Sequence, residues 1–239
     1  MRYLGFTQLV VWMVAATISS LVNAPPAAAS VGLYPGMPIK RANGYTCSLG
    51  FFASNDDNRR LAVTAGHCSA EPDEVLYSKN NIPIGQVVSR RNDPPDGDGA
   101  DAYVGYTLLL LNNSTHIADI KFSGGYRSPE KGEWIRKYGE RSEETPGKIT
   151  SVYYKYADDR PETSTIYSNI IVLSGDSGCP WFTTDDNGRP VLLGITIGSF
   201  TKSDGTYVKA WGAPINSLVR YIRKESPKWG SGFTPASHL

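Results

Sequence analysis

Gly175-Asp176-Ser177-Gly178 places a hydroxyl between two glycines with a carboxylate beside it. Glycine reaches φ > 0 and lets backbone N–H groups close in on a bound molecule. Such N–H groups are the donors that stabilise an oxyanion during acyl transfer. Gly, Asp and Ser are also ordinary turn residues, so the motif carries chemistry only if a base and an orienting acid exist elsewhere. The chain has three histidines. His238 is near the C-terminal end, and His116 sits in the polar stretch Asn113-Ser114-Thr115-His116, where water is its natural partner. His67 closely follows the β-rich run Leu61-Ala62-Val63-Thr64, after Ala65-Gly66, and precedes Cys68. A bridged cysteine there would give the imidazole the fixed address that a general base needs. The imidazole in turn needs an acid to orient it. Asp93, Asp96 and Asp98 fall in Arg90–Gly99, whose composition reads as a solvated loop. Asp101 stands where that loop enters the apolar run Ala102–Leu111, and a carboxylate drawn into a strand needs a partner. Asp101 is therefore the expected acid.

Holding these groups together takes a scaffold. The 239 residues are enough for one or two cored domains. Their formal net charge of +1 gives no electrostatic pull toward nucleic acid or an anionic membrane. Short β-rich runs recur at Thr46–Ala53, Arg60–Thr64, Ile82–Ser89 and Ala102–Leu111. A polar, glycine-rich link follows over Asn112–Pro129. Beyond it lie Trp134–Tyr138, Lys148–Tyr156, Thr165–Leu173, Val191–Ile197 and Tyr207–Trp211. Short strands at roughly 8–12-residue intervals predict a sandwich or a barrel. One helix is predicted, Pro214–Lys224, with proline at its start and Ile215, Leu218, Val219 and Ile222 on one face. Ser226–Leu239 shows no pattern and reads as a loose tail.

Residues 1–29 combine Arg2, the apolar run Leu9–Val22 and the small-residue stretch Ala24–Ala29, the pattern of a secretory signal peptide cleaved after Ala29. The run is shorter than the roughly 20 residues a membrane span needs, so the mature chain is expected outside the cell and free of the membrane. In an oxidising compartment Cys47, Cys68 and Cys179 read as one disulfide and one free thiol. No C-x-x-C spacing occurs, and no metal site is expected.

Thr64-Ala65-Gly66-His67-Cys68, Asp101-Ala102-Tyr103-Val104 and Gly175-Asp176-Ser177-Gly178, in that order, resemble the chymotrypsin-like (S1) serine proteases. Cys47-Ser48-Leu49-Gly50-Phe51, Gly132-Glu133-Trp134-Ile135, Gly147-Lys148-Ile149-Thr150 and Leu193-Gly194-Ile195-Thr196 look like the small secreted bacterial, streptogrisin-type members. The likeness spans about Cys47 to Ile222. It implies an all-β fold: two six-stranded antiparallel β-barrels with the active site between them and a C-terminal α-helix. The corresponding divisions are a protease domain over 30–225, barrels over about 44–111 and 130–213, a helix over about 214–224, and the tail 226–239. It implies Ser177, His67 and Asp101 as a triad working through an acyl-enzyme, with the amides of Gly175 and Ser177 as oxyanion hole. It further implies a Cys47–Cys68 disulfide, and a structural ion pair of Asp176 with Lys137 or its neighbour Arg136. The implied protein is a secreted serine endopeptidase acting on proteins or peptides, monomeric and without a cofactor.

Four positions depart from that pattern. Cys179 replaces a glycine and should pack as a small hydrophobe. Ile197 replaces a serine that touches the catalytic aspartate. Ser199, in the Gly198-Ser199 pair, stands where glycine usually lets substrate pair as a strand. Ile171, at the pocket-floor position, offers no acid and so favours apolar over basic substrate residues; Lys209 is a candidate for the pocket's rear. Ile197 and Ser199 motivate an alternative, a catalytically weak homologue that binds peptides or partners. An esterase fits less well, because Gly175-x-Ser177-x-Cys179 lacks the second glycine of the nucleophile elbow and the triad order differs.

Overall fold

The computed structural model describes residues 30–93, 103–154 and 159–237. The predicted leader, Asp96, Asp98, Asp101 and His238 lie outside these residues. Polar turns cut the β-rich runs into short strands. The first half holds β1 (Val31–Leu33), β2 (Pro38–Lys40), β3 (Thr46–Ser48), β4 (Phe51–Ser54), β5 (Leu61–Thr64), β6 (Val75–Ser78), β7 (Pro83–Arg91), β8 (Tyr106–Leu111) and β9 (Thr115–Ile117). The second half holds β10 (Trp134–Gly139), β11 (Glu143–Tyr153), β12 (Thr165–Ser168), β13 (Pro180–Thr184), β14 (Pro190–Thr201) and β15 (Tyr207–Pro214). Helices α1 (Ile215–Glu225) and α2 (Pro227–Gly230) and strand β16 (Thr234–Pro235) complete the chain.

The second half is a closed six-stranded barrel in the order β10-β11-β12-β15-β14-β13. Ile135, Ile149, Ile166, Leu193 and Trp181 fill it. The first half is a half-barrel. It is an open eight-stranded sheet in the order β16-β4-β5-β8-β7-β6-β2-β3. The run Thr46–Ala53 is two strands, not one, and they take places near opposite ends of that order. The chain leaves the sheet between them, at Leu49-Gly50. The Gly50 amide donates to the Val63 carbonyl at 2.8 Å. A Cβ on Gly50 would lie 2.6 Å from that oxygen and 2.8 Å from the Gly178 carbonyl. Glycine therefore allows the corner to press on both β5 and the serine loop.

The C-terminal segment is not a loose tail. β16 pairs antiparallel with β4, and the Phe233 ring is buried edge-on to Phe51 at 6.5 Å. Arg223 closes the return by donating twice to the Phe233 carbonyl, at 2.7 and 2.9 Å. A single buried aromatic between polar residues leaves no periodicity, which is why composition alone hides this packing. The buried face of α1, with Ile215, Leu218, Val219 and Ile222, belongs to the same apolar cluster as the first sheet and as Ile195, Ile197 and Trp211 of the barrel. The helix thus ties the two halves together. β1 pairs in parallel with β9. No helix among the described residues is long and apolar enough to cross a membrane.

Candidate active site

β5 delivers the chain into a 3-10 turn, Gly66–Cys68. The Cys47–Cys68 disulfide clamps that turn to β3. His67 emerges between them with its side chain 29% exposed, and its Nδ1 meets Oδ2 of Asp93, whose side chain is 1% exposed. The Asp93 carboxylate also accepts from the amides of Gly66 (2.9 Å), Gly105 (2.8 Å) and His67 (3.0 Å). Three amide donors and an imidazole are what a carboxylate needs to remain in a buried position. When that carboxylate is ionised it only accepts, so Nδ1 donates to it, and a neutral ring then has its lone pair on Nε2. His67 is thus presented in the tautomer of a base.

The carboxylate that meets His67 is that of Asp93, and the expectation that Asp93 would be solvated is corrected. β7 runs on to Arg91, paired with Tyr106 of β8, and so carries Asp93 over the turn that holds His67. β8 starts only at Tyr106, and the residue before it is Gly105, whose amide faces Asp93. A Cβ on Gly105 would fall 2.2 Å from the Arg91 carbonyl and 2.5 Å from Asp93 Oδ1, and one on Gly66 would fall 2.1 Å from the same carbonyl. The carboxylate is enclosed by backbone at two glycines. In the sequence the only trace is an aspartate at the end of a strand.

Ser177 is half-buried in the loop between β12 and β13. Its carbonyl accepts from the Ser48 amide at 2.8 Å and lies 3.8 Å from Cys68 Sγ, which puts the serine backbone against the residue next to His67. The Gly175 carbonyl accepts from Ser48 Oγ at 2.9 Å, and Gly175 has φ +106°. Among the described residues no acceptor takes the amides of Gly175 or Ser177. Two free donors then flank Asp176.

Asp176 and Lys137 are both fully buried, with Nζ 3.3 Å from Oδ2. Lys137 also donates to the Glu143 carbonyl at 2.9 Å and to Ser142 Oγ. The carboxylate accepts from the amides of Leu173 (2.9 Å), Arg141 (2.8 Å) and Ser142 (3.2 Å), and from Ser142 Oγ. Burial pushes the Asp176 carboxyl up, but these amides, the hydroxyl and Lys137 outweigh it and hold it below the usual carboxylate range. Arg136 faces outward to Glu144 at 3.1 Å.

A cleft of about 420 Å³ opens in front of His67, lined by Tyr45, Asn92, Asp93, Ile197, Gly198, Ser199 and Trp211. Tyr45 stands edge-on to the imidazole at 6.4 Å. In the sequence no local pattern marks Tyr45, Asn92 or Trp211 as site residues. Ile197 is buried at a bulge of β14 against β15, and Gly198 and Ser199 follow it into the cleft wall. Ile171 lies apart from this wall and is 44% exposed. Lys209 sits over the rings of Tyr167 (4.2 Å) and Phe200 (4.6 Å).

Cys179 is the free cysteine, wholly buried with Sγ 3.0 Å from Thr196 Oγ1. Burial pushes its thiol up to about 12. Iodoacetamide at pH 8 should therefore leave Cys179 unmodified in the folded protein and alkylate it after denaturation. Rapid alkylation of the folded chain, read by intact mass, would contradict this burial.

No protein-family model matches the sequence, and no curated protein matches it either. Its fold has clear counterparts among solved structures. Over 87% of this chain and 100% of the other, it resembles Thermobifida fusca protease A, with a TM-score of 0.59 at 18% identity. A glutamic-acid-specific serine protease described as using a histidine triad in substrate binding gives 0.61 at 20%, over 85% of this chain and 100% of the other. The chymotrypsin of Cellulomonas bogoriensis gives 0.57 at 17%, over 87% and 100%. The fold is that of the chymotrypsin-like serine proteases, all-β with a C-terminal helix.

Proposed function

We propose that the protein is a secreted serine endopeptidase that hydrolyses proteins or peptides with Ser177, His67 and Asp93. The observation that carries this is the buried Asp93 carboxylate on His67 Nδ1, beside a serine loop with two unpaired amides. Ser177 Oγ attacks a substrate carbonyl while His67 Nε2 takes its proton. The oxyanion is met by the amides of Gly175 and Ser177. The imidazolium, held by Asp93, gives its proton to the leaving amine, and an acyl-enzyme remains on Ser177. Water, deprotonated by His67, then releases the acid. Asp176 does none of this chemistry; with Lys137 it braces the loop that presents the two amides. The disulfide and the leader pattern support an exported chain. The apolar side chains of Ile197 and Trp211 and the absence of an acid among the cleft residues apart from Asp93 favour apolar residues of the substrate over basic ones.

Digestion of a mixed peptide library by the purified mature protein tests this. Cleavage next to apolar residues, absent with Ser177→Ala, is the expected result. Cleavage that survives Ser177→Ala would overturn the assignment, and cleavage mainly after Lys or Arg would overturn the specificity. A wild-type protein that retains peptides without cutting them would favour the binding homologue instead.

A further inference from the structure

Asp93 lies just beyond the β7–β8 ladder, whose last pair is Arg91 with Tyr106. Its carboxylate is held by amides of three residues, but the strand end that brings it there needs its own anchor. Arg91 supplies one. Its Nη2 and Nε donate to the same Glu225 oxygen at 2.6 and 3.1 Å. Glu225 is the last residue of α1, far from the catalytic segments in sequence. The main chain of Arg91 is equally constrained, because its carbonyl packs against the α-carbons of Gly66 and Gly105, the two glycines whose amides hold Asp93. Arg90 adds a second link, donating to the Gly66 carbonyl at 3.3 Å and to Asn92 Oδ1 at 3.1 Å.

The end of α1 is itself fixed. Tyr221 meets Tyr106 of β8 edge-on at 5.3 Å, one turn before Glu225. Arg223 holds the Phe233 carbonyl, and β16 pairs with β4. A rigid chain of contacts thus runs from the C-terminal segment through α1 and Glu225 to Arg91, and from there to Asp93.

We propose that Arg91 and Glu225 are positioning residues, an ion pair from α1 that aligns the Asp93 carboxylate with His67. This rests on the triad reading above. The pair is 46% and 26% exposed, so its contribution to stability is small. Its effect is geometric: a shift of about 1 Å in a catalytic group costs up to about 10²-fold in rate. Arg suits this role better than Lys because two of its N–H groups converge on one carboxylate and fix direction as well as distance.

The test compares Glu225→Gln, Arg91→Met and the exchanged pair Arg91→Glu/Glu225→Arg with wild type, with rates normalised to folded protein. Each single substitution should lower kcat about 10- to 100-fold with KM within twofold. The acid limb of kcat/KM should move to lower pH, because a displaced carboxylate stabilises the imidazolium less. The exchanged pair should recover a substantial part of kcat. Independently of turnover, the downfield, slowly exchanging Nδ1 proton of His67 in the NMR spectrum should broaden or vanish in the single variants. Wild-type kcat, pH profile and proton signal in Glu225→Gln would overturn the proposal. Loss of that proton signal in a protein whose wild type cleaves nothing would instead uphold the positioning and reject the peptidase reading.

Discussion

Asp93→Asn is expected to lower kcat/KM by about 10⁴-fold, the size of effect known for the acid of a Ser-His-Asp triad. Asp101→Asn is expected to change it less than threefold or so, because His67 Nδ1 is already taken by Asp93. The reason is tautomeric. Asn Oδ1 can still accept from the Gly66 and Gly105 amides, as Asp93 Oδ1 does at 2.9 and 2.8 Å. Its NH2 group then faces His67, where Oδ2 now stands. A donor there pairs only with an unprotonated Nδ1, which places the ring proton on Nε2 and removes the base. Folding should survive, since two of the amide contacts persist. Steady-state kinetics of both variants decide the matter. A collapse in Asp101→Asn with a nearly normal Asp93→Asn would reverse the assignment.

Lys137→Met is expected to destabilise the fold by about 3–5 kcal/mol, the usual consequence of leaving one member of a buried ion pair without its partner. Asp176 would keep its amide donors but lose the one cation at 3.3 Å, in a place closed to water. Asp176 lies between the two amides assigned to the oxyanion, so the folded remainder should also lose activity. Removal of a single oxyanion donor costs about 10²–10³ in rate. Replacing both partners, Lys137→Met with Asp176→Asn, should recover part of the stability because no buried charge is left. The pH dependence has a definite sign. The folded-state pKa of Asp176 is held below its unfolded value of about 3.8. Its contribution is therefore fully present above that value and is lost as pH falls through the lower, folded value. Wild-type stability should thus decline on acidification below about pH 4, more steeply than that of Asp176→Asn. Urea denaturation at neutral and acid pH measures both effects; equal stability of wild type and Lys137→Met at pH 7 would show that the pair does not brace the loop.

What the sequence made legible follows from how local each requirement is. The barrel class shows because short β-branched runs between turn residues need no knowledge of pairing. His67 and Ser177 stand out because each sits in a short stretch, next to a cysteine or between glycines. The Cys47–Cys68 bridge came with the family likeness and is present. Asp93 was hidden because its burial is decided by β8, by Gly66 and by Gly105, none of them near it in sequence. β8 begins only at Tyr106, five residues after Asp101, so the predicted apolar run over Ala102–Leu111 did not point to Asp93. The split of Thr46–Ala53 into β3 and β4 was hidden for a similar reason: the exit at Leu49-Gly50 depends on contact with Val63 and Gly178. The C-terminal return rests on the single ring of Phe233, which no periodicity announces. Arg91 and Glu225 are surface charges in the sequence and acquire meaning only when α1 crosses the end of β7.

The central claim is that Ser177 is a nucleophile activated by His67 on Asp93. Its most direct measurement is covalent: the folded mature protein is treated with a fluorophosphonate, and the adduct is located by peptide mass spectrometry. One phosphonyl group per chain is expected, on Ser177, formed rapidly at neutral pH, absent from Ser177→Ala and greatly slowed in Asp93→Asn. Folded wild-type protein that stays unlabelled, or carries its label on another residue, would contradict it.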